Sequence, residues 1–306
     1  KKVLDINLEM PIEQKNERFW QRALNLAIEE EYAGIRLFPI FDCENNQYGT
    51  CQVRKKKLNQ KDLIRNKDDQ VSFEERKNWK ICIKCREEKT RKNAHPNKRF
   101  IPAIWFKPIK IKLMNEGRLT RGIKALQPYG IGNYRIRCFP RFSANFDDIY
   151  DYIMKYIEKK KFKPDIIIWD YPDITAPIDK KIMDRLNVDY NWKKIAGLAQ
   201  ILNCAMFVGD QASKDERNRR SLSNMCTTES KTKDAHLDMR LTLNTYGDEY
   251  DLGLQRIGML FRRKGRCQSS EIMLTQRRET GIMMHDSEWW FSRDSHYPTV
   301  KEKNDK

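Results

Sequence analysis

Long apolar runs are missing from this 306-residue chain: no window approaches the roughly 18 uncharged apolar residues of a membrane span. Thirteen glycines are far too few for a collagen repeat, and eight cysteines over this length do not make a small disulfide scaffold. There is no internal repeat and no low-complexity tract of the kind that stays disordered. The first residues, Lys1-Lys2-Val3-Leu4, contain neither an initiator Met nor the apolar stretch of a signal peptide. Acidic charge is in deficit, with 43 Asp and Glu against 60 Lys and Arg, which leaves a net charge of +17. That excess points to a polyanionic partner and says nothing about fold. What is present is 39% hydrophobic residues, enough for one sizeable core with a satellite domain.

Three regions and a tail follow from the patterning. Residues 1–41 open on a buried strand, Val3 to Leu8, followed by Pro11 at a first helical turn. A helix follows, with Phe19, Trp20, Ala23, Leu24 and Ala27 at helical spacing on one face. A domain rarely starts on a core strand, so residues upstream of Lys1 are expected. Residues 42–112 change character: they are poor in aliphatic residues and hold four of the eight cysteines. Between Arg54 and Lys112 stand 20 Lys and Arg against 7 Asp and Glu, so most of the chain's excess charge lies there. Residues 113–300 alternate strands and helices: a strand at Asn133–Cys138, a helix at Phe146–Lys161, a near-continuous apolar strand at Asp165–Asp170, a helix at Trp192–Asn203 and a strand at Cys204–Val208. Further strands are expected near Leu237–Leu243, Leu254–Phe261 and Ile272–Thr275. This alternation predicts an α/β fold with a mostly parallel sheet flanked by helices. Residues 301–306 form a polar tail.

Cys43 and Cys51, then Cys82 and Cys85, make two pairs within one basic segment that has little apolar surface to fold on. Four thiolates around one Zn2+ would supply the missing folding energy, and the Cys82-x2-Cys85 spacing is that of a zinc knuckle. His95 could stand in for one ligand. Two disulfides, or four unrelated thiols, are the other readings; the lack of a secretory signal weighs against disulfides. Cys138, Cys204, Cys226 and Cys267 read as small apolar residues or surface thiols.

Three strand ends carry polar residues: Glu9 after the first strand, Asp170 at the end of Asp165–Asp170, and Gln211 after Cys204–Val208. Ligands of open α/β sheets bind at the carboxyl edge of the strands. A carboxylate there can orient Mg2+ or activate a water, and a glutamine there can sense a γ-phosphate. Each alone also fits an ordinary solvated strand end.

The run Val3-x-Asp-Ile-Asn-Leu-Glu9-Met10, then Arg18, resembles the strand and helix that follow the ATP-binding loop in replicative helicases of the DnaB type. Pro164-Asp165-Ile-Ile-Ile-Trp-Asp170-Tyr171 is similar to their magnesium-binding strand. Trp192-Lys-Lys-Ile-Ala-Gly-Leu198-Ala199-Gln and the strand up to Gln211 resemble the next helix and the sensor strand. Ala235-His236-Leu237-Asp238, Leu243-Asn244 and Arg256-Ile257 resemble phage-type variants. The likeness spans Val3–Leu37 and about Tyr134–Leu274, and leaves the cysteine-rich block as an insertion.

The resemblance implies a RecA-like ATPase core in which Glu9 is the general base, Asp170 holds Mg2+ and Gln211 couples the γ-phosphate of ATP to nucleic-acid loops. It implies a basic pair reaching a neighbouring subunit's site, with Arg263, Lys264 and Arg266 as candidates; Lys264-x-Arg266 has the family's spacing, but the family's following Gly is out of register. A solvated basic turn is the plain reading of that cluster. No GxxxxGKS or GxxxxGKT phosphate loop occurs in the 306 residues, and Gly130-Ile-Gly132 is no substitute. The family's loop would lie just upstream of Lys1; a degenerate, non-hydrolysing ATPase is the other reading.

Two basic stretches suit nucleic acid. The loop Lys214 to Lys233 carries Lys214, Arg217, Arg219, Arg220, Lys231 and Lys233, which would release counterions from a phosphate backbone. The cysteine block interleaves basic residues with Phe73, Trp79, Phe100, Trp105 and Phe106, a pattern that can track and stack a single strand, or simply fold as a soluble surface over a small core. The expectation is an ATP-, Mg2+- and Zn2+-dependent translocase on single-stranded DNA. It would act as a homo-oligomeric ring (a hexamer), with primase or a helicase loader as partner and no membrane, in a bacterial host's cytoplasm if phage-encoded. The alternatives are a recombinase- or loader-like RecA-fold ATPase, and a non-hydrolysing zinc-containing nucleic-acid-binding or scaffold protein.

Overall fold

Leu4, Ile6 and Leu8 alternate with Asp5 and Asn7, and all five are buried. A strand covered on both faces belongs inside a parallel sheet, and the computed structural model puts it there. The structure describes residues 1–43, 100–178, 184–213, 227, 230–244, 250, 253–264 and 270–291. In chain order the elements are β1 (Val3–Asn7), α1 (Ile12–Leu24), β2 (Leu26–Ala27), β3 (Gly34–Cys43), β4 (Phe100–Leu113), α2 (Glu116–Leu126), β5 (Tyr134–Cys138), α3 (Phe146–Lys160), β6 (Ile166–Asp170), α4 (Asp184–Leu202), β7 (Ala205–Val208), α5 (Ser230–Asp234), β8 (Met239–Asn244), β9 (Leu254–Arg262), β10 (Ser270–Arg277) and β11 (Ile282–Phe291).

The core is a parallel sheet in the order β5-β1-β6-β7. Asn7 lies opposite Cys138 on one side and Asp170 on the other, and Trp169 lies opposite Val208. α3 and α4 pack on it through Phe146, Ile149 and Ile153 and through Ile195, Leu198 and Leu202, which join Leu4, Ile6, Ile167 and Trp169 in one apolar cluster. Full burial of each such side chain stabilises the fold by about 1.5–3 kcal/mol. Phe146 stacks on Trp169 with ring centroids 5.6 Å apart. α3 starts where Asn145 and Asp148 form a reciprocal capping box. The α/β expectation with a parallel, helix-flanked sheet therefore holds.

Three elements differ from the sequence reading. α1 ends at Leu24, because Asn25 takes the left-handed conformation (φ 52°), so Ala27 sits in β2 and not on the helix face. No residue of α1 is buried; the helix is held by contacts such as Phe19 stacked on Tyr134 at 4.6 Å. α4 begins at Asp184, earlier than Trp192, and its first half is anchored by polar contacts such as Asn191 Nδ2 donating to Thr175 Oγ1 at 2.7 Å. Apolar periodicity cannot reveal that kind of anchoring. The late strands form a separate antiparallel sheet in the order β11-β10-β9-β8, and its edge strand β11 has no counterpart in the sequence reading.

β3 and β4 pair antiparallel, Gly34 with Ile111 through Cys43 with Phe100, and β4 also pairs with β2. They are the two arms from which residues 44–99 depart, and residues 42 and 112 lie within them. Cys51, Cys82 and Cys85 lie outside the described residues, as does the side chain of Cys43. No group of three or more His, Cys, Asp or Glu that could hold a metal occurs among the described residues. No helix among them is long and apolar enough to cross a membrane.

Candidate functional site

The parallel register gathers polar residues at one edge of the sheet. Asn7, fully buried at the end of β1, organises them. Its Oδ1 accepts from the backbone N–H of Glu9 (3.1 Å) and of Met10 (2.7 Å), while its Nδ2 donates to Asp170 Oδ2 at 3.2 Å. One amide side chain thus fixes both the turn that carries Glu9 and the carboxylate at the end of the adjacent strand.

Asp170 is bounded by small and cationic neighbours. A Cβ on Gly209 would come within 2.8 Å of Asp170 Oδ1, so glycine leaves the room that this carboxylate occupies. Lys15 of α1 places its Nζ 3.8 Å from Asp170 Oδ2 and 3.2 Å from Oδ2 of buried Asp5, which also accepts a hydrogen bond from the Tyr134 hydroxyl. Burial pushes the Asp170 carboxyl up from its ordinary value, Lys15 opposes the shift, and Glu9 and Asp5 add to it. Burial, then the Asp5 charge, likewise pushes the Tyr134 hydroxyl up.

Glu9 is about a third exposed and lies 3.7 Å from the Arg141 guanidinium. It borders a cleft of about 500 Å³ lined by Leu8, Met10, Arg137, Cys138 and Arg141 among others. A carboxylate at a glycine-backed strand end beside a second, partly open carboxylate is a hard oxygen donor set. It suits Mg2+, which takes one or two protein carboxylates and fills its remaining positions with water and phosphate oxygens. Asp170 is the residue that would hold it.

Gln211 follows the same edge, three residues beyond β7. Its side chain is exposed and its backbone N–H donates to Asp210 Oδ1 at 2.8 Å. Glu9, Asp170 and Gln211 therefore share the carboxyl edge. The basic cluster after β9 lies elsewhere. Arg263 donates from Nε to Leu237 O (3.0 Å) and from its second terminal nitrogen to Ala235 O (2.6 Å), which ties the end of β9 to the turn before β8. Lys264 is exposed, and Arg266 lies outside the described residues, as do Lys214, Arg217, Arg219 and Arg220. Lys233, which reads from the sequence as a phosphate-facing cation, is instead 1% exposed.

Sequence reasoning passed over Asn7, Lys15, Gly209 and Arg141. Asn7 and Gly209 could have been found as the polar and the small residue flanking the strand ends. Lys15 carries no signal apart from its distance to Asp170. Cys138 and Cys204 are free and half-buried, and burial raises both thiols.

No family model matches the chain, and no curated protein sequence does. Among solved structures, the chain is similar to the ATPase domain of a DnaB-like replicative helicase, with a TM-score of 0.52 and 14% identity over 92% of this chain and 73% of that one. It is similar also to a second DnaB-like replicative helicase, described with its interactions with primase, with a TM-score of 0.52 and 14% identity over 92% of this chain and 49% of that one. The chain thus spans about half the length of the second protein. The fold is the RecA-like fold of such helicase ATPase domains.

A carboxyl held above its ordinary value makes the fold less stable as pH rises through the window between the unfolded and folded values, because the folded state is then the one that keeps the proton. Asp170→Asn removes that penalty. Its urea midpoint at pH 7 should exceed that of the parent protein, and the advantage should shrink as pH falls below the ordinary carboxylate range. A variant less stable than the parent at pH 7 would contradict the placement of Asp170.

Proposed function

We propose that the protein is an ATP-hydrolysing translocase on single-stranded DNA, of the DnaB-type helicase class. The observation that carries this reading is the meeting of Glu9, Asp170 and Gln211 at the carboxyl edge of a parallel sheet whose fold is that of helicase ATPase domains.

In this reading Glu9 accepts a proton from the attacking water, with its backbone fixed by Asn7 and its carboxylate oriented by Arg141. Asp170 holds Mg2+, whose charge offsets that developing on the phosphate oxygens when it is bound. Gln211, at the head of the segment that leads into Lys214, Arg217, Arg219 and Arg220, reports the γ-phosphate to residues that contact the DNA backbone. Arg263 is engaged with backbone carbonyls of its own chain, so Lys264 and Arg266 are the pair assigned to a neighbouring subunit's nucleotide in a homo-oligomeric ring.

The triphosphate cradle is assigned to a further strand. β7 and β8 are each paired on one side among the described residues, and they carry exposed apolar side chains: Phe207 on β7, and Met239, Leu241 and Leu243 on β8. Edge strands normally avoid such side chains. A strand added beside β7, with a phosphate-binding loop at its carboxyl end, would cover them and point the loop at Asp170. The basic block at residues 42–112 is read as a zinc-bound insertion held by Cys43, Cys51, Cys82 and Cys85, with primase, a loader or DNA as its contact.

The intact gene product should hydrolyse ATP faster with single-stranded DNA present, and Glu9→Gln should lower the stimulated rate by about 10²–10⁴-fold; an unchanged rate in steady-state assays would remove Glu9 from the role of base. Metal analysis of the purified protein should find about one zinc per chain, lost in Cys82→Ser. Zinc-free protein with four titratable thiols in that block would rule out the zinc reading.

A further inference from the structure

Lys233 is among the largest fully buried side chains of the protein and is part of none of the chemistry described above. Its Nζ lies 2.6 Å from Asp173 Oδ2, and 3.0 and 2.9 Å from the two oxygens of Asp210. The ammonium sits 5.5 Å from the centre of the Trp192 ring, and Trp192 Nε1 donates to Asp173 Oδ1 at 3.3 Å. A lysine has three N–H donors and no acceptor, and here all of them meet carboxylate oxygens. Burying a charge in this way is costly unless it is paired, so a buried lysine of this kind fixes geometry more than it adds stability.

What it fixes is specific. Asp173 stands three residues after Asp170, in the turn Pro172–Ile174 that leaves β6. Asp210 stands between Gly209, which makes room for Asp170, and Gln211, whose backbone N–H it accepts. Lys233 itself lies on α5, where the chain returns after leaving β7; Ala212 and Thr227 pair as an antiparallel bridge at the base of that excursion. The next residue, Asp234, pairs with Arg240 of β8 at 2.9 Å. Two adjacent residues of α5 thus tie the carboxyl ends of β6 and β7 to the antiparallel sheet. Burial raises the Asp210 carboxyl and Lys233 pulls it back down, which agrees with the ammonium being its principal partner.

The geometry points to Lys233 as a positioning residue that locks Asp210, and through it Gln211, in register with Asp170, so that polynucleotide binding and nucleotide hydrolysis are coupled through this one ammonium. This rests on the ATPase reading above. Lys233 touches neither reactant; it acts by holding the two strand ends that do.

The test compares the intact gene product with its Lys233→Met variant and with the double variant Asp210→Asn, Lys233→Met. The double variant takes away one buried carboxylate together with the ammonium, and so keeps a foldable protein for measurement. Affinity for a fluorescein-labelled oligo-dT is read by anisotropy, and ATP hydrolysis is read with and without the unlabelled oligonucleotide. The expected result is an oligonucleotide Kd within about twofold of the parent, with the ratio of stimulated to unstimulated rates lowered at least about fivefold. Lys233→Arg, which keeps the charge, should recover part of that ratio. A parent protein that is stimulated, with a folded double variant stimulated equally, overturns the proposal alone. Loss of oligonucleotide affinity in proportion to the rate makes Lys233 merely structural and also overturns it. A parent protein without stimulation overturns the ATPase reading and this proposal together.

Discussion

The side chain of Asn7 is the contact on which the rest of the edge depends. It is buried at the end of the central strand, accepts from two successive backbone amides of the turn carrying Glu9, and donates to Asp170 on the neighbouring strand. A buried amide with its polar groups satisfied in this way is rigid, since each broken bond would leave a polar atom away from water. Parallel pairing then sets the rest: Asn7 faces Asp170 in register, Trp169 faces Val208, and Gly209 falls beside the Asp170 carboxylate. The geometry of the candidate site follows from where the strands end, with the helices supplying the core beneath it.

Charge is handled differently at the two halves of this edge. Near Asp170 the cation, Lys15, is shared with Asp5 at distances of 3.2 and 3.8 Å, loose enough for Asp170 to turn to another positive partner. Near Asp210 the cation, Lys233, is closely held by two carboxylates and sealed from water. One half is arranged to change partners and the other to keep them. A site that binds and releases a metal–nucleotide complex beside a fixed sensor strand needs both.

The parallel core was legible because its signals are local. Ile166 to Trp169 is a continuous apolar run, and α3 shows its apolar face at helical spacing between a capping box and a run of lysines. The strand-end residues Glu9, Asp170 and Gln211 were legible as strand ends, although only the pairing register brings them to one edge. β3 and β4 were hidden by prolines at 39, 102 and 108 and by alternating lysines, features that read as non-strand in a linear sequence. Lys233 could not be read at all: among neighbouring basic residues a lysine looks solvated, and its burial depends on Asp173 and Asp210, 60 and 23 residues away. Arg263 was misleading for a similar reason, since its backbone carbonyl partners leave no trace in side-chain identity.

The central claim is that the carboxyl edge around Asp170 is where a divalent cation and a nucleotide meet. Its most direct test is electron paramagnetic resonance of Mn2+ titrated into the intact gene product in the presence of a non-hydrolysable ATP analogue. The account predicts a bound Mn2+ signal that needs the nucleotide and is weakened at least about tenfold by Gly209→Ala, whose methyl group would displace the Asp170 carboxylate. Nucleotide-dependent Mn2+ binding of equal strength in that variant, with its fold intact, would contradict it.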